Sequence, residues 1–307
     1  APPAAPPAHA AAARRARRYR RGEHVYAGCN ELCPPHLCLH QHEIQLDWVL
    51  APLWQGHGER WRVSFINIGC KDFAWPDPLE ALLGSGALLS GLCIDGNGTA
   101  LEEARRALEG HEVRFLEAWL RPEAVGGLLR EHWPSASVDV LKVDIDSYDA
   151  DVLHACLLEL TPSALVVEFE YSVPPPFSWA RHVSAAPWRG GSLYPASLAY
   201  FVEMLGGLSY RLYKMNHNDA VFLHDGVAAD FAAAHAGLAF PVDEWACWLR
   251  QAFSNDEHDR IPRSYIREWL AGPDVFEVQE RVWGNLSEVS RPPFSFDLLA
   301  PRASASR

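Results

Sequence analysis

Val138-Asp139-Val140-Leu141-Lys142-Val143-Asp144-Ile145-Asp146-Ser147-Tyr148-Asp149 is an apolar strand that runs straight into three carboxylates, with a helical pattern from Ala150 to Leu160 directly behind it. Asp144, Asp146 and Asp149 therefore fall where a parallel strand ends and a helix begins. Open α/β sheets hold their ligands at that edge. Carboxylates this close repel one another and cost desolvation, which a cation, a ligand hydroxyl, a helix N-terminus or water relieves. A plainer reading makes Asp146 or Asp149 a solvated helix cap.

Strand and helix signals alternate on both sides of this stretch. Strands are expected at Trp61 to Ile68, Ala87 to Ile94, Val113 to Ala118, Val138 to Ile145, Ala164 to Tyr171, Tyr210 to Met215 and Ala220 to Leu223. Helices are expected at Pro78 to Leu83, Thr99 to Glu109, Ala150 to Leu160 and Ala196 to Leu205, with Thr99 as N-cap and Glu102 completing a capping box. Strands spaced by helices favour right-handed βαβ units and a doubly wound, mainly parallel sheet of seven strands. The last two strands are too close for a helical crossover and should pair as an antiparallel hairpin.

Composition sets the limits around this α/β unit. The chain has 307 residues, of which 49% are hydrophobic, enough for one large domain with additions. Residues 1–22 form a Pro/Ala/Arg tail that cannot bury a core, 23–61 a Cys/His-rich lead-in, 62–226 the α/β domain, and 227–307 a C-terminal helical extension and tail. The net charge is −12, and the six Arg of the first 22 residues make the remainder more acidic still, which argues against nucleic acid as partner. No apolar run reaches the roughly 18 residues of a membrane-spanning helix. The seven cysteines leave the compartment open. His24, Cys29, Cys33, His36, Cys38, His40 and His42 have the chemistry of a zinc site. Their spacing is not the usual paired CxxC; a disulfide reads equally well if the chain is secreted, and an ordinary loop is the plainer reading.

Two further strand ends carry chemistry. Phe65-Ile66-Asn67-Ile68-Gly69-Cys70-Lys71-Asp72 ends a strand in a glycine, which lets backbone approach a ligand closely. It is neither the three-glycine dinucleotide fingerprint nor a phosphate loop. Leu92-Cys93-Ile94-Asp95 ends a strand in an acid placed to accept both hydroxyls of a ribose.

In this order the motifs resemble class I S-adenosylmethionine-dependent methyltransferases, and the FkbM-type branch most. The resemblance rests on Asn67-Ile68-Gly69, Asp95, Lys142-Val143-Asp144, the Glu168 to Tyr171 strand end, Gly191-Ser192-Leu193 and Asn218-Asp219-Ala220-Val221-Phe222, and spans roughly 62–225. The chain departs from that branch where Asp146-Ser147-Tyr148-Asp149 replaces Glu-Gly-x-Glu. The resemblance implies S-adenosylmethionine as cofactor, with Asn67, Gly69, Asp95 and Asp144 binding it and Glu117 a weaker candidate near the adenosine. It implies methyl transfer to an oxygen of a small-molecule or glycan acceptor, with Asp146, Glu168 and His217 as candidate catalytic groups and Asp146 and Asp149 placed for a divalent cation. A hydroxyl acceptor needs such a base or metal because its own pKa is high.

The same carboxylates admit two other readings. Asp144-Ile145-Asp146 is a DxD, the pair with which metal-dependent glycosyltransferases hold the cation on a nucleotide-sugar diphosphate. A methyltransferase-fold binding protein without catalysis is the third. The segment Val173 to Trp179, with three consecutive prolines, then serves as a docking loop; in an enzyme it serves as a substrate lid.

Overall fold

The computed structural model describes residues 62–74, 77–85, 87–170, 177–183, 195–216, 218–234 and 294–298, with positions 173, 175 and 244. The Cys/His cluster of 24–42, the N-terminal tail, His217 and Gly191 to Leu193 lie outside the described residues, as does most of the C-terminal extension.

The strands are β1 (Arg62–Ile68), β2 (Leu88–Asp95), β3 (Glu112–Glu117), β4 (Ser137–Val143), β5 (Thr161–Glu168), β6 (Phe177–Arg181), β7 (Tyr210–Asn216), β8 (Asp219–His224) and β9 (Phe294–Leu298). The helices are α1 (Gly98–Ala107), α2 (Pro122–His132), α3 (Asp149–Leu157), α4 (Leu198–Gly206) and α5 (Asp225–Ala234), with a 3-10 helix at Pro78–Ser85.

Seven strands form one sheet in the order β3-β2-β1-β4-β5-β8-β7. β1 to β5 run parallel, β8 is antiparallel to β5, and β7 and β8 pair as the expected hairpin. This is a doubly wound, mainly parallel, Rossmann-like architecture. Strand alternation explains why both faces are covered. On β1, Ile66 and Ile68 enter one apolar cluster with α2, α3 and α4, whereas Val63 and Phe65 enter another with α1 and the 3-10 helix. The strand order reverses between β1 and β4, which places the ligand crevice at their carboxyl ends.

Three features depart from the sequence expectation. α2 was not foreseen, although Pro122 at its first turn is a start signal. Helix α1 begins at Gly98, because the Asn97 side chain, not Thr99, caps it by accepting from Thr99 N and Ala100 N. The Pro-rich connection after β5 leads into β6, which pairs antiparallel with β9 in a separate two-stranded sheet. Helix α5 packs on β7 and β8. Among the described residues no helix is long and apolar enough to cross a membrane.

Candidate functional site

A cavity of about 470 Å³ opens at the strand-order reversal. Its walls come from the β1 end (Ile68, Gly69, Lys71), the β2 end (Ile94 to Asn97), the segment after β3 (Ala118 to Leu120) and the β4 end (Asp144 to Tyr148). Of the residues expected at a donor, Gly69, Asp95 and Asp144 line it, as does Asp146. Asn67 lies behind the wall: it is fully buried, stands opposite Lys142 in the sheet, and donates from Nδ2 to Asp77 Oδ2 at 2.9 Å. It holds the loop before the 3-10 helix and does not line the cavity. Glu117 also stands apart from the lining, against Gly98 at the start of α1.

The loops around the cavity are fixed by carboxylates. Asp95 accepts Lys71 N on Oδ2 and Asn97 N on Oδ1, both at 2.8 Å, and so joins the β1 and β2 ends. A carboxylate has about four lone-pair sites, so Asp95 retains capacity for two ligand hydroxyls. Gly69 has φ +79°, and its N–H donates to the Ile94 carbonyl at 2.8 Å. A side chain there would overlap the Asp144 carbonyl oxygen, so glycine is required by the β1–β4 backbone approach. The Trp119 ring lies against Gly96, where a Cβ would collide with the indole, and it is otherwise exposed.

Asp149 differs from the cation ligand expected of it. It is buried, and its two oxygens accept Ile145 N at 2.7 Å and Ser147 N at 2.9 Å. These bonds clamp the backbone on either side of Asp146, which adopts φ +52°, and leave the Asp146 side chain on the cavity wall. Burial, against the help of those N–H groups, pushes the Asp149 carboxyl up to about 6.

Lys142 is the residue whose importance sequence reading missed. Its Nζ lies 2.9 Å from Asp144 Oδ2, 3.4 Å from Asp77 Oδ2 and 3.3 Å from the Gly69 carbonyl oxygen. Burial opposes its charge, but the Asp144 and Asp77 carboxylates outweigh it and raise the Lys142 pKa. Burial likewise opposes ionisation of Asp144, and Lys142 reverses that, so Asp144 stays charged.

Asp144, Asp146 and Glu168 offer carboxylate oxygens within 4.8 Å of one another, the set among the described residues that fits a divalent cation. Glu168 is pushed up to about 10, first by burial and then by the charges of Asp144, Asp146 and Asp149. Asn218 Nδ2 donates to its Oε1. At neutral pH this favours the protonated form of Glu168, which makes this candidate catalytic group a hydrogen-bond donor.

This has a consequence for stability. An unfolded Glu ionises near 4.5, so between there and about 10 the folded state holds the extra proton. Stability from this group is complete below 4.5 and is lost as pH rises toward about 10. Asp149, raised to about 6, and Asp219, raised to about 7 chiefly by burial, add to the same trend at its lower end. Thermal unfolding midpoints should fall from pH 5 to pH 9, and Glu168→Gln should make that fall shallower; equal slopes in the two proteins would contradict the assignment.

No known family's sequence profile matches the chain, and no curated protein sequence matches it. Among solved structures, it is similar to an S-adenosylmethionine-dependent methyltransferase from Geobacter sulfurreducens in complex with S-adenosyl-L-homocysteine (15% identity, 92% of this chain and 95% of that one, TM-score 0.33). It is also similar to a TehB-like methyltransferase from Corynebacterium glutamicum (13%, 70% and 98%, 0.32). A third is the METTL16 methyltransferase domain (14%, 58% and 64%, 0.36). Likeness this distant carries nothing about activity.

Proposed function

We propose that this chain is an S-adenosylmethionine-dependent methyltransferase acting on an oxygen of a small-molecule or glycan acceptor. The observation that carries the reading is the single cavity joining the Gly69 turn, the Asp95 carboxylate and the Asp144–Tyr148 loop at the strand-order reversal. Its volume suits one nucleoside-sized ligand. Its lining supports this one: Ile94, Ala100, Ala118 and Trp119 would give an apolar slot for a base, Asp95 would accept ribose hydroxyls, and Asp144 and Asp146 would stand toward the sulfonium. The cofactor would supply a methyl group on a positively charged sulfur. The chain's share is to hold the acceptor oxygen in line with that methyl, where alignment supplies much of the rate.

Calorimetry with S-adenosylhomocysteine tests this directly. Asp95→Ala should weaken binding by about 1–3 kcal/mol, the cost of stranding hydrogen-bonding groups. Unchanged affinity removes Asp95 from the ribose; no heat with the unaltered protein removes the cofactor.

The Asp144, Asp146 and Glu168 trio favours a second reading, a metal-dependent glycosyltransferase. Against it, Asp144 is paired with Lys142 and the protonated form of Glu168 is favoured, which leaves Asp146 as the carboxylate of the trio without a paired cation among the described residues. Heat with nucleotide sugars plus manganese, and none with S-adenosylhomocysteine, would reverse the order. Donor binding without turnover on any acceptor would leave a non-catalytic binding protein.

A further inference from the structure

The Gly69 turn spends its backbone donors within the protein. Gly69 N donates to the Ile94 carbonyl at 2.8 Å, Cys70 N to the same oxygen at 3.4 Å, and Lys71 N to Asp95 Oδ2 at 2.8 Å. On the facing loop Asp144 N donates to the Ile68 carbonyl, and Ile145 N and Ser147 N donate to Asp149. A nucleoside ligand with its ribose at Asp95 and its base toward Trp119 extends its far end between these two loops. An anionic group at that end finds these six N–H groups already bonded.

Lys71 carries the charge that the backbone cannot offer. Among the described residues that line the cavity it is the one with a cationic side chain. It is exposed, and its ammonium forms no ion pair with a described residue. Lys142, the other ammonium at this edge, is buried and engaged by Asp144, Asp77 and the Gly69 carbonyl. The Lys71 backbone has φ +45°, a left-handed conformation that costs an L-residue energy and that the bond from its N–H to Asp95 helps to hold. β1 lies between β2 and β4, so this turn stands between the Asp95 carboxylate and the acids of the β4 end. Burial and then the Asp144 charge push the Asp146 carboxyl up, and the Lys71 charge works against both. The two side chains thus feel one another across the cavity without touching, which leaves room for a ligand group between them.

We infer that the Lys71 ammonium binds the carboxylate at the amino-acid end of the donor, and so selects a carboxylate-bearing donor over a nucleoside that lacks one; the inference rests on the methyl-transfer reading above. An ammonium has three N–H donors and no acceptor, which matches a carboxylate that only accepts. Such a charge-assisted bond is roughly twice as strong as a neutral one, and the hydroxyl of Ser147, also on the wall, offers only the neutral kind. In this turn Gly69 supplies the close backbone approach and Lys71 the recognition of charge.

The test needs no acceptor. Calorimetry on the full chain compares S-adenosylmethionine with its decarboxylated form, which lacks the carboxylate alone. The ratio of the two affinities should shift by about tenfold against S-adenosylmethionine in Lys71→Met, the loss expected for a hydrogen bond between charged groups. Lys71→Arg, which keeps the positive charge, should hold the ratio near that of the unaltered protein. The comparison is internal to each variant, so a general weakening of the site moves both ligands and leaves the ratio where it was. A ratio unchanged in Lys71→Met overturns the inference and leaves the cofactor reading intact. Absence of heat with either ligand in the unaltered protein sinks that reading, and the inference with it.

Discussion

Lys142→Met should destabilise the protein by about 3–5 kcal/mol, measured by urea unfolding at pH 7. The lysine is buried with its ammonium between Asp144 and Asp77, whose side chains are 17% and 7% exposed. Methionine matches the volume of the stem but leaves both carboxylates charged in a low-dielectric environment, and that uncompensated charge is the main cost. Combining Lys142→Met with Asp144→Asn and Asp77→Asn should recover much of the loss, because a neutral polar set needs no counter-ion. A loss below about 1 kcal/mol in the single variant would mean that the carboxylates are already protonated, and the charged state argued for Asp144 would fall. Donor affinity should drop as well, since Lys142 also holds the Gly69 carbonyl at the cavity wall.

Gly69→Ala should cost about 2–5 kcal/mol and abolish measurable donor binding. Two terms combine. A left-handed backbone at φ +79° costs an L-residue roughly 1–2 kcal/mol. The added Cβ then overlaps the Asp144 carbonyl oxygen, a backbone atom that cannot rotate away, and overpacking of this kind costs about 1–3 kcal/mol more. Gly110 provides the control: its φ is +87°, but a Cβ there meets nothing within 4 Å. Gly110→Ala should therefore show the conformational term alone and leave calorimetric donor binding unchanged. If the two variants are equally stable, the close approach of β1 to the β4 end is not what requires glycine at 69.

The strands β1, β2, β4 and β5 were legible in the chain because strands covered on both faces must be apolar almost throughout, and each ends abruptly in a glycine or acid. The hairpin of β7 and β8 was legible for a different reason: the gap between the two is too short for anything else. Helix α2 was not, because Gly126 and Gly127 interrupt its centre and weaken its apolar period. Along the chain Asp144, Asp146 and Asp149 also looked alike, as three acids within six residues. Packing made them different: one paired with a buried lysine, one turned onto the cavity wall, one spent on backbone N–H groups.

Local sequence thus determined the order of the elements and the edge at which a ligand would sit, since both follow from periodicity and from where apolar runs stop. Which side chains meet across that edge was decided only by the folded sheet. Lys142 finds the Gly69 carbonyl 73 positions away, Asn218 finds Glu168 across 50, and His182 finds Asp151 across 31. Such partners are brought together by strand register and crossover geometry, and the charge each group carries depends on the burial and neighbours that this geometry supplies.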